Sequence, residues 1–243
     1  MNIKVVLEYD GRSFLGWQQQ ARGRTVEAEL RRALREITGQ DHKVYAAGRT
    51  DAGAHAEGQV ANFQTDGRMS PRRMMGALNA RLPEDVAVLS AEVVPDDFHS
   101  RYSARWRRYR YRYLDRPSRP AVERGRCWHV RGELDVDAMS RAARSLTGRH
   151  DWTSFCSASE PRDSRVREMR TPTVARRGQF VELELVGEGF LRGLVRSLAG
   201  ALAEVGLGRR PPGWVAEVLR ARDRRRAPRT APAGGLTLME VIY

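Results

Sequence analysis

A nine-residue stretch in the first half of the chain concentrates side chains that can do chemistry. It reads Gly48-Arg49-Thr50-Asp51-Ala52-Gly53-Ala54-His55-Ala56. Asp51 is an acid flanked by basic groups, and Gly48 and Gly53 permit a tight backbone path around it. An isolated Asp-x-Gly is typical of an ordinary hairpin turn, in which the aspartate only hydrogen-bonds to its own backbone. The grouping of Arg49, Asp51 and His55 within seven residues favours a functional loop instead.

The elements that must position this loop follow a β-α-β-β-α-β order. Ile3, Val5, Leu7 and Tyr9 alternate with other residues, which predicts a strand that ends at Asp10-Gly11. Thr25 is a typical cap for an amphipathic helix that ends at Gly39. The remaining patterns predict strands over 42–47 and 59–64, a helix from Ser70-Pro71 to Leu78, and a strand over 86–94.

The second half repeats this order without obvious sequence identity to the first. Arg and Tyr alternate over 105–114, and apolar residues alternate with Glu182 and Glu184, so both segments are predicted strands. The other predicted elements are a helix over 139–146, a strand over 166–176, a helix over 191–205 ended by Gly206, a helix after Pro211-Pro212, and a closing strand over 236–242.

This double pattern is the order of split β-α-β, ferredoxin-like units. It predicts an α+β protein with an N-terminal half over 1–104, which carries the aspartate loop, and a C-terminal half over 105–243. The two halves are expected to join into one extended mixed or antiparallel sheet, with helices on one side and a central cleft.

The charge of the chain points to a polyanionic partner. Among 243 residues there are 43 Lys and Arg against 30 Asp and Glu, which gives a formal net charge of +13. All but Lys4 and Lys43 of these cations are arginines. A compositional bias towards arginine explains the choice of arginine over lysine but not the uncompensated positive balance. Nucleic acid is therefore the favoured partner.

Several other classes of protein fit the sequence poorly. Cys127 and Cys156 are far apart and form no Cys-x-x-Cys pair, so they suit two small core residues in a reducing compartment. The sequence shows no signal peptide, and no apolar run approaches the roughly 20 residues that cross a bilayer. We expect a soluble, cytoplasmic protein with no membrane partner and no metal site.

The aspartate loop resembles the catalytic motif of the TruA family of tRNA pseudouridine synthases, and the resemblance extends over essentially the whole chain. Other segments resemble further motifs of that family in the same order. These are Leu7–Gly11 with Gly16-Trp17-Gln18, Val94–His99, Arg107–Tyr111, Asp151–Phe155 and Gly189–Arg196. Six ordered motifs are far more specific than any one of them.

The resemblance implies an isomerase that converts uridine to pseudouridine at positions 38, 39 and 40 in the anticodon stem-loop of tRNA, without a cofactor and as a homodimer. It makes Asp51 the nucleophile, which attacks either C1′ of the ribose or C6 of the base. It makes Tyr109 the residue that stacks on the base or transfers a proton, and Arg196 the partner of Asp51. Tyr111 and Tyr113 are better explained as an apolar strand face, and His55 as a loop-shaping residue.

Arginines are expected to supply the RNA-binding surface. Arg49 can fill the space left by a flipped-out base or bind a phosphate, or it can form a local ion pair with Asp51. In addition to Arg49, the residues predicted to bind RNA are Arg101, Arg105, Arg107, Arg108 and Arg110, which are interleaved with aromatic residues. A second cluster over Arg220–Arg229 fits a charged surface segment as well as a phosphate contact.

Two other classes of function stay open on the sequence alone. A non-catalytic RNA-binding protein on the same scaffold would tolerate loss of the Asp51 carboxylate. A metal-dependent nuclease would need several clustered carboxylates, whereas the loop offers one, and it would be sensitive to chelators.

Overall fold

The chain folds into two compact units in the computed structural model, which describes residues 1–67, 69–160 and 164–243. The first unit comprises Met1–Arg105 with Thr237–Tyr243, and the second comprises Trp106–Leu236. The described residues form eleven strands and five α-helices, so the predicted α+β class is confirmed. Three features stay predictions: a boundary between the two halves at residue 104, the joining of the halves into one sheet, and the central cleft.

The first unit has the predicted β-α-β-β-α-β order and takes one more strand from the end of the chain. Its elements are β1 (Asn2–Tyr9), α1 (Val26–Thr38), β2 (Tyr45–Ala46), β3 (His55–Gln64), α2 (Pro71–Asn79), β4 (Val86–Val94) and β11 (Leu236–Ile242). β1 lies between β3 and β4 and is antiparallel to both. β2 pairs antiparallel with β3, and β11 runs parallel to the start of β3.

Simple patterns explain why these segments fold as they do. Ile3, Val5 and Leu7 alternate along β1 and are fully buried, because successive side chains of a strand point to opposite faces. Thr25 accepts a hydrogen bond from the Ala28 amide at the start of α1. Gly39 ends that helix in a left-handed conformation with φ of 74°. Both predicted caps of α1 are confirmed.

The second unit is also built on an open sheet with helices. Its elements are β5 (Trp106–Leu114), β6 (Trp128–His129), α3 (Val136–Arg144), β7 (Gly148–Asp151), β8 (Val166–Met169), β9 (Thr173–Arg177), β10 (Phe180–Gly187), α4 (Leu194–Gly206) and α5 (Trp214–Ala221). The sheet order is β5-β10-β8-β7, with β9 paired to β10 and β6 to β5. All residues of α4 except Arg196 and Glu204 are buried, so this helix forms the centre of the unit's core.

The observed elements differ from the predicted ones at a few places. The single strand predicted over 166–176 is two strands, β8 and β9, which pair with β10 at different points. β3 begins at His55, four residues earlier than predicted, so this histidine belongs to the sheet and not to the loop. Cys127 and Cys156 are buried free thiols, as predicted.

Candidate functional site

The aspartate loop lies in the first unit and joins β2 to β3. The Ala54 amide donates to the Asp51 carbonyl oxygen at 3.0 Å, which closes a tight turn over residues 51–54. Gly53, the third residue of that turn, has φ of 81°, a backbone conformation that favours glycine. Thr50 is buried, Asp51 is half-buried and Arg49 is exposed. The predicted tight path around Asp51 is confirmed at Gly53.

The connection between β1 and α1 holds this loop in place. The Trp17 amide donates to the Thr50 carbonyl at 3.1 Å, and the Gly53 amide donates to the Phe14 carbonyl at 3.2 Å. The hydroxyl groups of Tyr9 and Thr50 lie 2.8 Å apart and form a buried hydrogen bond. The residues on both sides of Asp51 are therefore fixed by a segment more than 30 positions earlier in the chain.

Two glycines of that connection allow it to approach the loop. A Cβ added at Gly16 would lie 2.5 Å from the Thr50 carbonyl oxygen and 3.1 Å from the carbonyl carbon of Asp51. A Cβ at Gly11 would lie 1.9 Å from the Ala54 carbonyl oxygen. Both positions admit only a hydrogen, because backbone atoms occupy the space. Gly11 and Gly16 belong to motifs found in the sequence, but nothing in their spacing revealed this contact.

His55 attaches the far end of the loop to the end of β1. The Gly11 amide donates to His55 Nδ1 at 3.1 Å. The nearest Asp10 carboxylate oxygen lies 3.3 Å from the same nitrogen. The imidazole is buried among these groups, which supports a loop-shaping role for His55.

The buried bond between Tyr9 and Thr50 gives a first testable prediction. Tyr9→Phe should lower the free energy of unfolding by about 1–2 kcal/mol, because the Thr50 hydroxyl loses its partner away from water. Thr50→Val should cost a similar amount. The double variant should cost clearly less than the two single effects together, as measured by urea unfolding. Strict additivity of the two effects would contradict the assigned bond.

Tyr109 lies on β5 in the second unit and faces the unit's core. It is 6% exposed, and its ring meets Phe190 edge-on with centroids 4.8 Å apart. Tyr111 and Tyr113 lie on the same face and donate to the Pro232 and Ala199 carbonyls at 2.8 and 2.9 Å. Burial raises the pKa of both hydroxyls. The interpretation of Tyr111 and Tyr113 as an apolar strand face is confirmed.

Arg196 is held on α4 by the segment that follows α5. Its Nε donates to the Ala231 carbonyl at 2.8 Å, and the Ala231 amide donates back to the Arg196 carbonyl at 3.1 Å. The guanidinium is half-buried, and its charge partly offsets the effect of burial on the pKa of Tyr111. These contacts fix the direction of an arginine that would otherwise be an ordinary helix residue.

The arginines predicted to bind RNA differ in exposure. Arg101 and Arg105 are exposed, whereas Arg108 and Arg110 are half-buried. Arg107 is buried, and its guanidinium donates to the Glu188 carbonyl at 2.6 Å. This burial favours a structural role for Arg107, and RNA binding by the exposed Arg101 and Arg105 stays a prediction.

The Arg220–Arg229 cluster is partly engaged with its own surroundings. Arg225 donates hydrogen bonds from Nε and an Nη to the Asp223 carboxylate at 2.9–3.1 Å. Arg224 donates to the Pro228 carbonyl and to the Thr230 hydroxyl. Arg220 and Arg222 line an open pocket of about 620 Å³ beside His150 and Asp151. The cluster is therefore a folded surface segment, and a phosphate contact by it stays a prediction.

Within residues 1–67, 69–160 and 164–243, no three His, Cys, Asp or Glu side chains are grouped so that they could hold a metal ion. No helix in the same part of the chain is long and apolar enough to cross a membrane.

Comparison with known proteins gives consistent matches along the chain. A family model described as tRNA pseudouridine synthase matches residues 5–103 and 142–243, which include Asp51 and Arg196 but not Tyr109. Proteins named tRNA pseudouridine synthase A from Myxococcus xanthus and Moorella thermoacetica are 44% and 43% identical to the chain. The matches cover 99% of the chain in both cases, and 91% and 99% of these relatives. A protein of the same name from Acetivibrio thermocellus is 40% identical over the whole chain and 99% of its own length.

Proposed function

The chain belongs to the tRNA pseudouridine synthase family, and we propose that it isomerises uridine to pseudouridine in tRNA with Asp51 as the nucleophile. The observation that carries the role of Asp51 is its place in a loop whose backbone is fixed on both sides. A reacting group must be held within a fraction of an ångström of its productive position. The clamp formed by Tyr9, Gly16 and Trp17 supplies that rigidity.

The reaction needs a nucleophile and a proton acceptor but no net change in atoms. The C1′–N1 glycosidic bond of uridine breaks, the uracil rotates, and a C1′–C5 bond forms. The proton on C5 is lost, and N1 gains one. An ionised carboxylate can form a covalent adduct or stabilise an electron-poor sugar while the base is detached. Asp51 fits either task, with attack at C1′ or at C6.

We propose that Tyr109 and Arg196 complete the site from the second unit. Tyr109 presents an aromatic ring held edge-on by Phe190, which suits stacking on uracil, and its hydroxyl suits proton transfer from C5. Arg196 carries a planar fork whose Nε is already committed to Ala231. This planar fork suits a pair with the Asp51 carboxylate, which would fix the direction of that carboxylate.

The proposed substrate site within tRNA is the anticodon stem-loop, at uridines 38, 39 and 40. A base in a stem must leave the stack, at a cost of a few kcal/mol. Arg49 is exposed beside Asp51 and suits the vacated space or a flanking phosphate. Arg101, Arg105, Arg108 and Arg110 are proposed to contact the RNA backbone, which gives recognition by shape, largely independent of neighbouring bases. Buried Arg107 contributes least to this surface.

The remaining parts of the proposal are a homodimer acting in the cytoplasm, without cofactor or membrane partner. The family resemblance and the positive charge support them. The net charge of +13 suits a substrate that spans more surface than one loop provides.

A position-resolved assay tests the proposed function. tRNAs with uridine at only one of positions 38, 39 and 40 are incubated with the protein and digested, and their nucleosides are separated by chromatography. Each of the three should yield pseudouridine, while a tRNA with no uridine at these positions should yield none. Strand cleavage would indicate a nuclease, and binding without product would indicate a non-catalytic RNA-binding protein.

A further inference from the structure

Three aromatic rings form a stack on the first unit, apart from the aspartate loop. Tyr45 and His99 lie with ring centroids 4.5 Å apart, and the centroids of His99 and Tyr102 are separated by the same distance. The interplanar angles are 47° and 44°, so the rings are tilted against each other. Tyr102 ends the stack and is 75% exposed, which is unusual for so large an aromatic side chain.

Two cations flank the stack. The ammonium group of Lys43 lies 5.1 Å from the centroid of the Tyr45 ring, and the guanidinium of Arg101 lies 5.4 Å from that of Tyr102. Both residues are exposed. The exposed ring is complementary to a nucleobase, and the positive charges at the two ends of the stack are complementary to its phosphates.

The turn that carries the stack is held rigidly. The Ser100 side chain, fully buried, donates to the Tyr45 carbonyl, and the Asn62 side chain accepts from the Ser100 amide at 2.9 Å. The Ser103 amide donates to the His99 carbonyl at 2.9 Å. Asn62 is itself bonded to Asn2, whose amide donates to the Phe98 carbonyl. The stack is therefore organised before any ligand arrives.

The surroundings of His99, the central ring, favour its neutral form. Its Nδ1 accepts from the Arg101 amide at 3.1 Å. Burial, together with the charges of Arg101 and Lys43, lowers the pKa of this imidazole. A neutral ring lets both tyrosines pack against it without adding a third positive charge to the stack.

We propose that Tyr102 and the rings behind it bind an unpaired nucleobase of tRNA by stacking, with Arg101 and Lys43 at the neighbouring phosphates. This inference rests on the proposed tRNA substrate but concerns a base other than the uridine that reacts. Stacking suits any base, because every base has a π face, and it requires a base that is not enclosed in a helix. The site would add affinity for loop nucleotides without demanding a sequence.

Variants at Tyr102 test the stack. Tyr102→Ala should weaken binding of tRNA by about ten- to a hundredfold, whereas Tyr102→Phe keeps the ring and should stay within about twofold. Binding of a fully paired RNA duplex should be the same for both variants, since it offers no free base. Arg101→Ala should weaken tRNA binding and reduce by about one the slope of log affinity against log salt. Melting temperatures confirm that each variant is folded.

Several outcomes would overturn the stacking proposal. Wild-type affinity in Tyr102→Ala would do so, as would an equal loss for the paired duplex. Loss of self-association with unchanged RNA affinity, measured by sedimentation, would assign Tyr102 to a protein contact instead. If the wild-type chain makes pseudouridine but the Tyr102 variants do not behave as expected, the stacking proposal is wrong and the proposed function is unaffected. A wild-type chain that neither binds nor modifies tRNA would overturn both.

Discussion

Asp51→Asn should reduce pseudouridine formation by about four orders of magnitude or more, while tRNA affinity stays within about threefold of wild type. The substitution keeps the size of the side chain and removes the carboxylate proposed as the nucleophile, which a neutral amide cannot replace. The turn around residue 51 is closed by main-chain atoms, so it does not depend on the carboxylate. Product is measured in single-turnover experiments, and affinity by filter binding.

Asp66→Asn is the matched control for this variant. It makes the same change of charge at an exposed position in the same unit and should retain wild-type activity. An Asp51→Asn protein that is folded and as active as Asp66→Asn would remove Asp51 from the chemistry. Parallel loss of RNA affinity and activity would instead make Asp51 part of the binding surface.

Gly16→Ala should lower activity by about a hundredfold and the free energy of unfolding by about 2 kcal/mol. Gly16 has φ of 91°, where an alanine is strained, and the added Cβ would lie 2.5 Å from the Thr50 carbonyl oxygen. The loop must shift to relieve this contact, and Asp51 shifts with it. A displacement of about 1 Å at a reacting group is enough for a loss of that size. Urea unfolding and single-turnover kinetics measure the two effects separately.

Gly76→Ala is the control for the glycine substitution. Gly76 lies within α2, and its added Cβ would meet nothing within 4 Å. Alanine should therefore stabilise the helix by about 0.5–1 kcal/mol and leave activity unchanged. If Gly16→Ala retained full activity, the close approach of residue 16 would not be what positions Asp51.

Local pattern was enough to predict most elements, because alternation and helical periodicity report which face of a segment is buried. β1 and the caps of α1 are examples. The clamp on the aspartate loop could not be predicted in this way. It joins Gly16 to Thr50 and Tyr9 to Thr50, and no local signal shows which distant segments meet. Family resemblance identified these motifs without explaining them.

The alternation of side chains along β5 separates its arginines into two groups. Residues 107, 109, 111 and 113 share one face of the strand, because strand side chains alternate. The sequence predicts Tyr111 and Tyr113 of this set to form an apolar face, so Arg107 is expected on the same face, and it is buried. On the opposite face, Arg112 binds Glu182 of β10 at 2.8 Å. The alternation of strand side chains thus divides a cluster of like charges between a buried face and a half-buried one.

We propose that this chain isomerises uridine in tRNA through an aspartate-dependent reaction at C5 and C1′. The most direct test is tritium release from tRNA labelled at C5 of its uridines, with a chelator present and no nucleotide added. We predict that the wild-type protein releases one tritium for each pseudouridine formed, that the RNA strand stays intact, and that Asp51→Asn releases none. Absence of release by the wild-type protein, or release accompanied by strand cleavage, would contradict the account.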